Sequence, residues 1–249
     1  MSPVNLTVMW LTFRQLFTKQ RLIALVCFSA APLVIAAIFA VTRTRTPAAD
    51  LDFLRELYTG VISFVLLPLT AVVLGTAAFG GEIDDGTIVY LLVKALPRWQ
   101  LVLSKYVVAT VATYALMFIA CVLPWLVLGS GPDALALFEA FAAAIAIGAA
   151  LYCALFVMLG LTSKRALVAG LLYIVVIEIA LSPNVVGLKS VSIREFVMTV
   201  AGKLAATVPG MHAGAVSVAT VETMGAIIFV GSLAFGIRWL ARYEMEERL

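Results

Sequence analysis

The chain has 249 residues, of which 63% are hydrophobic and 12% are charged, and its formal net charge is +3. Soluble globular domains are usually about 45–50% apolar and about 25% charged, so this composition excludes an ordinary soluble domain and indicates a protein whose solvent is lipid. The small net charge gives no reason to expect a nucleic-acid partner.

Residues that commonly bind metals or form disulfides are few. Cys27, Cys121 and Cys153 are widely spaced, each lies in an apolar run, and His212 is the single histidine. This pattern fits neither a disulfide framework nor a zinc site. We therefore expect three buried thiols and no metal site.

The first predicted element is an amphipathic helix at the start of the chain. Apolar residues recur there at spacings of three and four, and basic residues gather towards residue 21. We expect residues 1–21 to lie in the cytoplasmic headgroup region and not to form a cleaved signal peptide. A cytoplasmic extension of the first membrane span is the alternative.

Six stretches approach the roughly 20 apolar residues that a transmembrane helix needs. They cover residues 22–41, 57–79, 106–128, 136–161, 166–181 and 223–240. We therefore predict an all-α integral membrane protein with six transmembrane helices in one domain, residues 1–249. The fourth stretch is rich in alanine and glycine, which predicts close packing between helices.

The positions of lysine and arginine predict the orientation. An even number of spans puts both termini on one side, which would carry 11 of the 17 basic residues, and the loop 42–56 would lie on the other. The richer side should be cytoplasmic. We expect a multi-pass protein of the cell (cytoplasmic or inner) membrane with both termini in the cytoplasm.

The outer segment 183–222, before the sixth predicted span, contains another helix signal. Ser192 and Glu195 form a capping box, which predicts a helix beginning here with an apolar stripe along it. We place this short outer helix on the outer surface or dipping slightly into the membrane, and Pro209–Gly210 should end it.

The segment 80–105 joins the second and third predicted spans. Gly80 and Gly81 predict a loosened end of the second span, and the acids that follow favour the positive end of a short amphipathic helix. That helix should lie on the cytoplasmic face, where it could transmit force from a soluble partner to both spans. Arg98 and Lys105 should anchor the third span at the headgroups.

This segment resembles the ABC-2 family of transporter permeases, whose pattern is E-x-x-x-G-T-[IL]-x-x-L-L-x-x-P-x-x-R with a later lysine. Pro97 and Arg98 are adjacent here, where the family often has a residue or two between them. The residues that carry the resemblance are Glu82, Gly86, Thr87, Ile88, Leu91, Leu92, Pro97, Arg98 and Lys105.

The resemblance implies the membrane-spanning subunit of an ATP-driven exporter, with a hydrophobic or amphipathic substrate. ATP and Mg would be bound by a separate ABC ATPase in two copies, with a second permease copy or paralogue alongside. An accessory outer protein could join this complex. This chain itself has no phosphate-binding G-x-x-x-x-G-K-[ST] loop and needs no cofactor. The implied ATPase-coupling residues are Glu82, Asp84, Asp85, Gly86, Thr87, Leu91, Leu92, Pro97 and Arg98.

Two other classes of function compete with this interpretation. An ion-gradient-driven secondary transporter needs charged groups inside the membrane, and Glu178 is the acid well inside a predicted span. Glu178 is therefore a candidate pathway residue, although it could also be an interfacial glutamate near the outer end. An intramembrane enzyme would need paired catalytic groups at membrane depth, and the sequence offers none, so we predict no catalytic residue.

Overall fold

The computed structural model describes residues 6–42, 46–84, 97–182, 186–211, 214 and 216–246. Across these residues the chain forms helices and connecting turns, without a strand. The helices are α1 (Leu6–Leu16), α2 (Lys19–Thr42), α3 (Pro47–Glu56), α4 (Leu67–Asp84), α5 (Arg98–Leu128), α6 (Gly131–Thr162), α7 (Ala166–Tyr173), α8 (Val186–Lys189), α9 (Ile193–Leu204) and α10 (Val218–Glu246). Two π-helical stretches extend them: Leu57–Leu66 joins α3 to α4, and Ile174–Leu181 continues α7.

Within the described ranges, five helices are long and apolar enough to cross a membrane. They are Arg21–Thr42, Pro47–Ile83, Arg98–Leu128, Gly131–Thr162 and Val218–Arg242. The chain is therefore a multi-pass membrane protein with an all-α fold, as the sequence predicts.

The remaining predicted span is helical over the expected residues but is shorter than the others. Ala166–Leu181 consists of eight α-helical and eight π-helical residues. At about 1.5 Å per residue it reaches roughly 24 Å, which is less than the hydrocarbon thickness of about 30 Å. Five of the six predicted spans are thus confirmed as long apolar helices, and a membrane crossing by Ala166–Leu181 stays a prediction.

The second span begins ten residues earlier than the sequence analysis predicts. The structure has α3 where a loop was expected, because Thr46 accepts a hydrogen bond from the Ala49 N–H at 3.2 Å and Pro47 occupies the first turn. The helix then widens before Pro68, and the Leu67 N–H donates to Ile62 O, five residues back. Proline has no N–H and crowds the preceding turn, which accounts for the wide turns at this position.

Helix α6 is the centre of the bundle, and it packs against α4, α5, α9 and α10. Its glycines allow these close approaches. A Cβ added at Gly148 would lie 2.6 Å from Val197 Cγ2 and 2.8 Å from Leu67 Cδ2, and one at Gly160 would lie 2.9 Å from the carbonyl oxygen of Thr76. The predicted close packing by small residues in this span is confirmed.

Helices α2 and α10 lie at the edge of the bundle, since only 22% and 17% of their apolar windows are buried in the chain. This position explains one wrong prediction. Cys27 on α2 is exposed, whereas Cys121 and Cys153 are buried as expected. The outer face of α2 is therefore available to lipid or to another chain.

Helix α1 is amphipathic, as the sequence predicts. Val8, Thr12 and Leu16 are buried where α1 packs against α5 and α4, while Trp10 and Phe13 are exposed. An apolar groove of about 560 Å³ lies between α1 and the middle of α5. The position of α1 at the cytoplasmic headgroups stays a prediction.

Helix α9 begins where the capping box predicts, because the Glu195 N–H donates to Ser192 Oγ at 3.4 Å. However, α9 does not lie on the outer surface, where the sequence analysis places it. Ile193, Phe196 and Val197 are fully buried, and Val197 meets α6 at Gly148. Helix α9 is packed against α6 because its apolar stripe faces the side of α6 that carries Gly148.

The turn after α9 is tied to the start of the second span. Arg55 donates to the carbonyl oxygen of Pro209 at 2.9 Å and pairs with Asp52 at 2.9 Å. Gly210 has φ +73°, a left-handed conformation that favours glycine, and an added Cβ there would lie 2.0 Å from Arg55 Nη1. The predicted end of the outer helix is therefore wrong by several residues: α9 ends at Leu204, and Pro209–Gly210 form the turn that follows it.

Candidate functional site

Lys105, in the second turn of α5, is bound by the end of α4. Its side chain is 1% exposed, and Nζ forms an ion pair with Glu82 Oε2 at 2.5 Å. Nζ also donates to the carbonyl oxygen of Ala78 at 2.6 Å and lies 4.5 Å from the centre of the Phe79 ring. A carboxylate, a carbonyl and an aromatic face of one helix thus surround an ammonium group of the next.

This pair corrects two predictions for the segment 80–105. Lys105 does not reach the headgroups, because its ammonium group turns inward to α4. Gly80 and Gly81 do not loosen the second span, since α4 continues through both to Asp84. The helical turn that they belong to carries Ala78 and Glu82 on the side that faces Lys105.

Three of the other predicted coupling residues lie within the described residues. Asp84 is the last residue of α4, and Asp85, Gly86, Thr87, Leu91 and Leu92 lie outside the described residues. Pro97 precedes α5, and its carbonyl oxygen accepts from the Gln100 N–H at 3.0 Å. Arg98 is the first residue of α5 and is half-buried. The structure therefore brings together the two ends of the predicted coupling segment.

Glu178 lies at a second buried polar cluster, 2% exposed. Its Oε1 accepts from the hydroxyls of Tyr152 and Tyr173 at 3.1 and 3.4 Å and from the Ile193 N–H at 3.1 Å. Its Oε2 accepts from the Ser192 hydroxyl at 2.5 Å. The Glu178 carboxyl group thus connects α6 through Tyr152, α7 through Tyr173, and the start of α9 through Ser192 and Ile193.

The depth of this cluster follows from helix geometry. Tyr152 lies ten residues before the end of α6 and Glu178 lies twelve residues after the start of α7. At about 1.5 Å per residue both are roughly 15–18 Å from the α6–α7 connection, or about half the hydrocarbon thickness. The first turn of α9 presents unpaired backbone N–H groups, and Glu178 accepts a hydrogen bond from the one at Ile193. The pathway role predicted for Glu178 stays a prediction.

A family model described as ABC-2 family transporter protein matches residues 6–200. The chain belongs to the ABC-2 transporter family. The match includes the Glu82–Lys105 pair, the Glu178 cluster and most of α9. No curated protein matches the chain. ABC-2 permeases are typically non-catalytic membrane subunits, and membership implies a partner ATPase.

Sequence reasoning missed two contacts of this ABC-2 permease. Lys105 was interpreted as a headgroup anchor because it begins a long uncharged run, and no local signal in the sequence indicates that it binds Glu82. Glu178 and Ser192 were treated separately, and the sequence carries no local signal that a helix cap also binds a carboxylate fourteen residues earlier.

Proposed function

We propose that this chain is the transmembrane permease subunit of an ATP-driven exporter, in which a separate ATPase drives a hydrophobic or amphipathic substrate across the membrane. The observation that carries the proposal is the buried pair of Lys105 and Glu82, which joins the end of α4 to the start of α5. Between these helix ends runs segment 85–96, which carries most of the ABC-2 motif.

The pair holds the two ends of that segment in a fixed relation. Removing one partner of a buried ion pair typically costs about 3–5 kcal/mol, so the ends of α4 and α5 resist separation. A displacement of segment 85–96 would then reach both spans at once. Because α4 packs against α6, the same displacement would reach the centre of the bundle.

The proposed roles of the coupling residues follow from this arrangement. Glu82 acts by holding Lys105, since its carboxylate is turned towards α5 and its side chain is 14% exposed. The residues from Asp84 to Leu92 contact the ATPase, and Pro97 and Arg98 set the start of α5. ATP and Mg²⁺ are bound by two ATPase copies on the cytoplasmic side of two permease chains, identical or paralogous.

Co-purification with the ATPase tests the proposal. The tagged chain is expressed in its native host, solubilised gently, and its partners are identified by mass spectrometry. We expect a stoichiometric protein with a phosphate-binding loop, and we expect Leu91→Ser with Leu92→Ser to lose it. The matched control is Val191→Ser with Leu204→Ser, which changes two exposed apolar residues of the predicted outer segment.

Two outcomes of the co-purification would contradict the proposal. If the folded wild-type chain brings down no ATPase, the exporter proposal fails and the ion-gradient-driven transporter becomes the leading interpretation. Loss of the ATPase in both double variants would mean that the loss reflects general damage, and the assignment of segment 85–96 would be withdrawn.

A further inference from the structure

A cavity of about 250 Å³ opens where α4, the first residues of α2 and the α6–α7 connection meet. Its lining includes neither Glu82 nor Lys105, and neither the coupling role nor the family match assigns anything to it. One water needs only about 10–15 Å³ of such volume, so the cavity has room for a hydrated polar group of several atoms.

The rim of this cavity is basic. Arg21 comes from α2, and Lys164 and Arg165 come from the α6–α7 connection, so two separate parts of the chain bring cations to one opening. The described lining residues include no carboxylate. All three cations are exposed and would attract an anion placed among them, which makes the rim a place for a phosphate or carboxylate group.

Part of the wall of the same cavity is apolar. Val73 and Ala77 of α4 line it together with Leu167 and Val168 of α7. Leu167 and Val168 are 45% and 60% exposed, on a helix whose outward face is apolar. An apolar strip therefore leads directly from the basic rim along the outside of α7.

We infer that this cavity binds an anionic phospholipid, with its phosphate at Arg21, Lys164 and Arg165 and an acyl chain along Leu167 and Val168. A phospholipid carries its negative charge where its acyl chains begin, and the cavity has the same order of basic rim and apolar strip. Basic residues next to the cytoplasmic ends of membrane helices commonly attract anionic headgroups at about 1 kcal/mol each.

Gly80 gives the inference a steric test that leaves every charge in place. It lines the cavity, and a Cβ added there would have no atom within 4 Å. Gly80→Leu should therefore fill the space without a clash, and leucine suits a helix better than glycine does. Lys164→Gln with Arg165→Gln is the complementary variant, which removes two exposed charges and keeps the space.

The experiment uses the purified full chain without an ATPase. It is reconstituted in vesicles of phosphatidylcholine with or without phosphatidylglycerol, and the lipids retained after extraction are counted by native mass spectrometry. In detergent, the Tm is followed on titration with short-chain phosphatidylglycerol, short-chain phosphatidylcholine or inorganic phosphate. We expect phosphatidylglycerol alone to be retained and to raise the Tm.

Both variants should weaken that effect, with an apparent affinity lower by about tenfold or more when Lys164 and Arg165 lose their charge. The matched control is Arg238→Gln with Arg242→Gln, on α10. Arg238 and Arg242 lie at the same end of the bundle as the cavity. Gly236 of α10 packs beside Leu161 at the end of α6, because a Cβ added to Gly236 would lie 3.2 Å from Leu161 Cδ1. The control should keep the wild-type affinity for phosphatidylglycerol.

Three results would overturn the inference. An equal loss in the α10 control would mean general attraction of anionic lipid to a basic surface. An equal Tm rise with inorganic phosphate would mean a small-anion site. If phosphatidylglycerol is not retained and does not raise the Tm of the wild-type chain, the cavity does not bind an anionic phospholipid.

Discussion

The ammonium group of Lys105 is bound by three groups of α4, which makes the effect of a single substitution predictable. Lys105→Met keeps the length of the side chain but leaves the Glu82 carboxylate without its cation. We expect the free energy of unfolding to fall by about 3 kcal/mol, at the lower end for a broken buried pair, because Glu82 keeps some contact with solvent. Thermal unfolding in detergent measures the loss.

The double variant Glu82→Gln with Lys105→Met separates the pair from other effects of the site. Replacing both charges removes the unpaired carboxylate, so part of the lost stability should return. A double variant that is as unstable as the sum of the two single variants would mean that the ion pair contributes no coupling energy.

Glu178 carries the second prediction at this scale. Glu178→Ala removes the acceptor of three hydroxyls and of the Ile193 N–H, which leaves these buried donors without a partner. The first turn of α9 should open more often, so its amides should exchange hydrogen at least about tenfold faster, the factor given by about 1.4 kcal/mol. Hydrogen exchange with mass spectrometry on the peptide around Ile193 measures this.

Tyr173→Phe provides the comparison for Glu178. It removes only the longest of the four bonds, at 3.4 Å, and leaves the bonds to Ser192 and Ile193 in place. Exchange at α9 should change little. Equal exchange in the wild-type chain and Glu178→Ala would show that α9 is held by its apolar contacts alone.

At the scale of whole helices, α4 and α6 approach each other through glycine. Gly160→Ala would place a Cβ 2.9 Å from the carbonyl oxygen of Thr76 and 3.2 Å from its Cα, and backbone atoms cannot move aside as a side chain can. We expect a loss of about 1–3 kcal/mol in stability from this overpacking. Thermal unfolding of the purified variant gives the value.

Gly225→Ala is the matched change on α10. Its added Cβ would meet Leu151 at 3.7 Å, an ordinary contact, so stability should be unchanged or slightly higher. A loss of the same size in both variants would show that glycine matters here for helix flexibility and not for the close approach of α4 and α6.

The sequence predicts the local start of α9 but not its depth. A capping box depends on hydrogen bonds between residues three positions apart. The predicted bond from the Glu195 N–H to Ser192 Oγ is present. The burial of α9 depends on contacts with Gly148 and Glu178, which are distant in sequence. The cap of α3 is also local, so α3 could be predicted from Thr46–Pro47, whereas the extent of the π-helical stretch back to Leu57 could not be predicted from Pro68 alone.

The candidate coupling site was also predictable from the sequence only in part. The motif from Glu82 to Arg98 marks the functional segment in the sequence, because its order of residues is enough to suggest the family. The partnership of Glu82 with Lys105 is visible only when α4 and α5 are packed together, since both residues read as interfacial charges when each is considered alone.

For the whole molecule, the short Ala166–Leu181 helix decides the topology. If it crosses together with the five long helices, both termini lie on the same side, so reporters of cytoplasmic location fused to either end should agree. A reporter fused after Ser130 follows three long helices and should give the opposite signal. Disagreement between the two ends would mean that Ala166–Leu181 enters the membrane without crossing it.

The uneven burial of the three cysteines gives the wild-type chain a built-in spectroscopic label. Cys121 and Cys153 are fully buried and Cys27 is exposed on α2, so a thiol-reactive spin label should attach to Cys27 alone. In a complex of two identical chains, the two labels would form one pair. A single dipolar distance would then report how far apart the two α2 helices are, and whether ATP changes that separation, without any cysteine being added or removed.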